Sequence, residues 1–214
     1  MINLLHNLDF IFNCDYVFKD RYDAREDYFS GEGTWYAGRI WETNFVPDVR
    51  KLKLLEWKER GAGSQVRFEI SENTMCGHVS QFPVGTYKKA HFHGPGAHVV
   101  VLGGRGYSLI YPQGEPIRRY DWKPGSMIVP PPNWFHQHFN AGNEPARYLA
   151  FRWGSRKYYG ITGDTSSKTD LDVKLGGNQI EYEDEDPIVR QMFEEACAKA
   201  GVKSQMDKYY AAKS

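Results

Sequence analysis

The stretch YKKAHFHGPGAHVVVLGGRGYSL, Tyr87 to Leu109, sets three of the chain's seven histidines, His91, His93 and His98, within eight residues, just before an apolar run. Were AHFHG helical, residues two apart would point about 200° away from each other; on a strand they share a face. The surrounding letters favour the strand. From about residue 66 to 153 the chain is built of short apolar runs, QVRFEIS, HVSQFPV, HVVVL, YSLIY, SMIVP and RYLAFRW, parted by Gly, Pro and Asn. These runs are β-branched or aromatic, and their spacing predicts an all-β fold, an antiparallel sandwich or barrel. On one strand face His91 and His93 can reach a common ion at roughly 2.0–2.1 Å, a third ligand coming from a neighbouring strand. An isolated pair of this kind reads first as two hydrogen-bonded or exposed strand histidines, so it needs a second signal.

That signal lies 43 residues beyond His93, in PGSMIVPPPNWFHQHFN. Together the two stretches resemble the paired motifs of the cupin superfamily, G-x5-H-x-H-x3,4-E-x6-G and G-x5-P-x-G-x2-H-x3-N. Gly85, His91, His93 and Gly104 fit the first; Gly125, Pro131, His136 and Asn140 fit the second. Two positions depart from the pattern. Asn133 stands where the second motif has glycine, and Asn is the residue that best tolerates a left-handed turn in its place. The first motif's glutamate is missing: counting back from Gly104 puts Ala97 there, and counting forward from His93 with the longer spacer puts His98 there.

The resemblance implies a cupin jelly roll holding a divalent metal on His91, His93 and His136, with His98 a candidate fourth ligand whose strand parity hangs on the GPGA turn. Three neutral imidazoles leave the ion's charge uncompensated, which favours an anionic, oxygen-donating small-molecule substrate. Cupins of the gentisate dioxygenase type look like this, and NWFHQHFN is similar to their W-x-H-x-H segment, with Gln137 where ring-cleaving relatives commonly carry Asp. The implied activity is a non-haem Fe(II) dioxygenase acting on a small chelating aromatic or enolic acid. Imidazole ligands accept Mn, Ni, Cu and Zn as well, and the alternative is a non-redox cupin: an isomerase, a lyase or a binding protein. His138 shares strand parity with His136, so it either serves the site, orienting a neighbour or acting as acid or base, or is a core histidine bonded to a backbone carbonyl. Trp134, Tyr107 and Tyr111 read as packing residues, and Arg105 as a solvent-facing turn residue.

Composition narrows the class. The 27 basic and 27 acidic side chains cancel and no Lys/Arg run appears, which argues against nucleic acid. No stretch approaches 18 uncharged apolar residues, and MINLLHNLDFIFNCDYVF lacks the basic start and cleavage site of a secretory signal, so no membrane partner and a cytoplasmic location are expected. Cys14, Cys76 and Cys197, odd in number and far apart, read as reduced thiols.

Three segments follow. Residues 1–65 form an aromatic, charged arm expected to pack on the barrel or on a partner subunit, since cupins are often homodimers. Residues 66–154 form the barrel. Residues 155–214 hold a loop and a C-terminal helix capped by Asp186, opened by Pro187 and ended by Gly201, with Ile188, Met192, Phe193 and Ala196 on one face.

Overall fold

The computed structural model describes residues 29–70, 75–94, 96–153 and 170–210. The expected N-terminal arm up to residue 28, with Cys14, and most of the loop that follows the barrel lie outside the described residues. Twelve strands are seen among the rest: β1 Thr34–Tyr36, β2 Ile40–Thr43, β3 Leu55–Glu56, β4 Ser64–Ile70, β5 Met75–Phe82, β6 Thr86–Tyr87, β7 His98–Gly103, β8 Gly106–Tyr111, β9 Arg118–Trp122, β10 Met127–Ile128, β11 Phe135–Asn140 and β12 Ala146–Trp153. They form a large sheet in the order β1-β2-β4-β5-β12-β7-β10, with β3 on β4, and a smaller sheet β6-β11-β8-β9. The pairing is antiparallel apart from β2 on β4, so the strand runs read from the sequence close into a jelly roll.

Several strands were not legible as such: β1, β2 and β3 lie in the segment read as an arm and join the large sheet, and β9 is the clearest case inside the barrel. β9 reads RRYDW, and four of its five residues face solvent. As the end of the small sheet it is held by its ladder to β8 and needs no apolar alternation.

The interior between the sheets is apolar at one end, where Phe82, Val101, Trp122, Ala146 and Ala150 pack together. The outer face of the small sheet is covered by α1, Pro187–Ala200, followed by a short α2, Asp207–Tyr210. Asp186 Oδ1 accepts from Ile188 N at 3.0 Å, Pro187 opens the helix and Gly201 closes it in a left-handed conformation. The buried stripe differs from the sequence expectation by one residue: Val189, Phe193 and Cys197 are buried, while Ile188 is 40% exposed. An i, i+4, i+8 line through Val189 lays the helix over Tyr87 and Phe139, and Ile188 then falls about 100° off that line.

Because α1 covers it, β11 is buried at all six positions and both its faces are core. Gln137 therefore points away from the barrel interior and donates from Nε2 to Glu185 Oε2 at 3.1 Å. The motif asparagine ties loops together: Asn140 Nδ2 donates to the carbonyls of Pro83 and Glu144 at 3.1 and 2.9 Å, and Oδ1 accepts from Gly142 N. Gly85 is required at its position. It sits at φ +67°, and a Cβ there would lie 2.2 Å from the Lys203 carbonyl oxygen.

Candidate metal centre

His136 and His91 lie directly opposite each other. His91 N donates to the His136 carbonyl at 3.2 Å and His136 N to the His91 carbonyl at 2.8 Å. Their rings are accordingly close, with centroids 4.2 Å apart. His93 is held two residues along by Asn133, whose N–H donates to its carbonyl at 3.0 Å. Asn133 has φ +63°, so the left-handed turn expected of glycine is made by asparagine. The potential ligand nitrogens of His91, His93 and His136 all lie within 4.8 Å of one another.

Hydrogen bonding prepares two of these rings for a cation. His91 Nδ1 lies 3.2 Å from the Lys89 carbonyl and His136 Nδ1 lies 3.1 Å from the Trp134 carbonyl. A carbonyl can only accept, so Nδ1 carries the proton and Nε2 keeps its lone pair. Burial, with Arg60 and the other imidazoles nearby, pushes the His91 proton affinity well below its usual value, and burial with His93 and His138 does the same to His136. Neutral imidazole nitrogens gathered this closely suit a divalent cation. The structure thus fits a divalent metal ion at this place, and imidazole donors alone do not select which.

His98 stands apart. It begins β7 with an exposed side chain, while Ala97 and Val99 line the cavity next to the three histidines. Ala97 thus takes the glutamate position, and the sequence option of His98 as fourth ligand is corrected: its side chain is exposed and lies outside the three-histidine cluster.

His138 does face the cavity, one rung from His136, with ring centroids 5.9 Å apart. Its Nδ1 lies 2.7 Å from Ser108 Oγ, which accepts from Trp122 Nε1 at 3.1 Å. Trp134 and Tyr107 do not line the cavity; Tyr107 stacks on Phe139 beneath α1. Arg105 is exposed in the β7–β8 turn.

The rest of the wall was not read from the sequence. His78, Lys88, Arg60, Arg152 and Tyr148 all line the cavity. Lys88 should have faced away from His91 by period-two alternation. However, Lys88 N donates to the His138 carbonyl and His91 N to the His136 carbonyl, so three steps on one strand meet two on the other. The extra residue is a bulge that turns Lys88 to the same face.

These burials predict an acid-sensitive apo-protein. His138 is held down to about 3, first by burial, then by Lys88 and His93, while the unfolded chain takes up its proton near 6.5. Between those values the unfolded state binds more protons, so stability rises with pH and is lost on acidification. For His138 alone the loss on going from pH 7.5 to pH 4 is on the order of 3 kcal/mol. Urea unfolding of chelator-treated protein at the two pH values would measure it; a flat profile would show that native His138 is charged and hydrated.

No protein-family model matches the chain, and no curated protein does. Among solved structures the chain is similar to oxalate decarboxylase from Bacillus subtilis, at 15% identity and TM-score 0.44 over 60% of this chain and 34% of that one. It is also similar to a cupin domain of Schizosaccharomyces pombe Cnp3, at 13% identity and TM-score 0.42 over 50% of this chain and 72% of that one. A third is the plu4264 protein from Photorhabdus luminescens, at 15% identity and TM-score 0.40 over 50% and 90% of the two chains. The chain spans about a third of the oxalate decarboxylase chains it matches. Among the described residues no helix is long and apolar enough to cross a membrane.

Proposed function

We propose that this chain, which has the cupin jelly-roll fold, is a metal-dependent enzyme, a non-haem Fe(II) dioxygenase acting on a small chelating acid. The observation that supports it is a cluster of three imidazoles with no carboxylate among the described residues that line its cavity. His91, His93 and His136 would hold the ion, leaving its remaining positions to substrate oxygens. A redox-active ion bound there would relay electrons from the chelated substrate to dioxygen, so that the substrate is oxidised and the ion returns to its starting state.

The chain's own residues then have separable tasks. The Lys89 and Trp134 carbonyls fix the orientation of two rings through their Nδ1–H groups. Trp122 Nε1 donates to one lone pair of Ser108 Oγ, and in this reading the serine O–H donates to His138 Nδ1. His138 then carries its proton on Nε2, toward the cavity, where it can donate to an oxygen of the bound acid. Trp122 and Ser108 are positioning residues in this reading.

Ser108→Ala would free His138 to change tautomer. The expected result is a kcat about 10- to 100-fold lower with unchanged metal content and a displaced acidic limb in the pH–rate profile. A wild-type pH profile in this variant would remove Ser108 from the mechanism.

The function itself is tested by loading chelator-treated protein with Fe(II) under anaerobic conditions and measuring oxygen uptake with aromatic and enolic acids. Iron-dependent, substrate-dependent uptake supports the dioxygenase reading. Turnover of an acid with manganese or zinc and no oxygen consumed would replace it with a non-redox cupin enzyme.

A further inference from the structure

The cavity wall beside the three histidines is cationic. Lys88, Arg60 and Arg152 line it together, and no carboxylate joins them among the described residues. Arg60 has a counterion, with Asp170 Oδ1 3.4 Å from Nη2. Lys88 is placed differently. It is 3% exposed, it donates to Ser80 Oγ, and it lies 3.4 Å from the Tyr148 hydroxyl. Both partners are neutral, and an ammonium has three N–H donors, so one is left for the cavity. Around it are ring faces, with Nζ 5.3 Å from the Tyr148 centroid and 5.7 Å from that of Phe82. A buried ammonium set among hydroxyls and rings gains little for the fold, where an apolar side chain of the same volume would pack without desolvation.

Its placement relative to the histidines is fixed by the bulge. Lys88 is opposite His138 and His91 is opposite His136, so Lys88 stands one rung, about 7 Å, from the metal-side pair. Tyr148 closes the same wall, its ring 5.2 Å from His138 and 5.9 Å from His78.

We infer that Lys88, with Tyr148 and Arg152, forms an anion-binding pole of the substrate pocket. The substrate class follows: a compact dianion, one end offering chelating oxygens to the His91, His93 and His136 side and the other a carboxylate that completes Lys88. A monoanionic acid would leave that ammonium without a counter-charge. This inference rests on the proposed metal reading for the position of the chelating end; the anion pole stands on Lys88 itself.

The test is calorimetric binding of malonate, succinate and acetate to protein loaded with redox-inert zinc, for wild type, Lys88→Met and Tyr148→Phe, with zinc content and Tm measured alongside. Expected are dicarboxylates binding at least tenfold tighter than acetate, and a loss of tenfold or more in Lys88→Met for the dicarboxylates only. Zinc content should be unchanged and Tm no lower. Lys88→Met binding malonate and succinate as wild type does would overturn the proposal. Should that variant fail to fold, Tyr148→Phe carries the test, with at least a threefold loss expected and wild-type affinity counting against it. Lys88-dependent dicarboxylate binding by a wild type that holds no zinc would leave the anion pole standing and sink the metal reading instead.

Discussion

His136→Ala is expected to abolish stoichiometric metal binding, with iron or zinc content falling below about a tenth of wild type. Three ligand nitrogens lie within 4.8 Å of one another, and His136 is the one that both others touch, with ring centroids 4.2 and 4.8 Å away. If roughly 10–16 kcal/mol of binding is shared among the four ligands of a structural zinc site, one imidazole accounts for about 3–4 kcal/mol, several hundredfold in affinity. The apo-protein should behave otherwise. His136 is buried and kept neutral against its own proton affinity, so removing it relieves an unfavourable burial while leaving a small void. The Tm of the apo variant should lie within a few degrees of apo wild type. Added zinc or iron should raise the wild-type Tm and leave that of the variant where it was. Metal retained at full occupancy would show that His136 is not a ligand; a large loss of Tm without metal would show that its role is packing.

The parts of this site visible in the sequence are those that obey a local period. His91 and His93 share a face because they are two apart, and His136 and His138 do so for the same reason. Asn133 and Gly85 could be read because a positive φ restricts the residue type. α1 was legible from its ends, where Asp186, Pro187 and Gly201 each meet a definite backbone need. What escaped the sequence lies where a period breaks or where distance in the chain is large. Lys88 was hidden by the bulge at residues 89 and 90. The glutamate position was ambiguous between Ala97 and His98 in the letters, and the cavity lining by Ala97 and Val99 decides it. Arg60, His78 and Arg152 come from a short 3-10 turn, Lys58–Arg60, before β4, from β5 and from β12, and nothing in one chain's letters announces that these meet at one cavity. β9 carries no apolar alternation because its solvent-facing side needs none.

The second large effect is expected at the back of the site rather than in it. Phe193 is fully buried on α1, its ring 4.8 Å from Tyr87 and 5.9 Å from Phe139, which stack on each other at 4.7 Å. Tyr87 precedes Lys88 on the bulged strand and Phe139 follows His138 on β11, so this cluster is the backing for both strands that carry the candidate site. Phe193→Ala removes a ring from a place that the sheet, ladder-bonded on both sides of β11, cannot collapse to fill. The expected loss is about 3–5 kcal/mol, and at about 2–4 °C per kcal/mol for a chain of this size the Tm should fall by roughly 10 °C. Phe151→Ala is the matched control: Phe151 is 40% exposed on β12, and its truncation should cost about 1 kcal/mol or less. Metal affinity measured below the unfolding transition should also fall in Phe193→Ala, by about tenfold, because the two strands lose the packing that holds their rings in register. It should not fall in Phe151→Ala. Equal Tm losses in the two variants would mean that α1 is not anchored through Phe193. A large Tm loss with wild-type metal affinity would mean that the backbone ladder alone, through the paired His91 and His136 amides, holds the three imidazoles together.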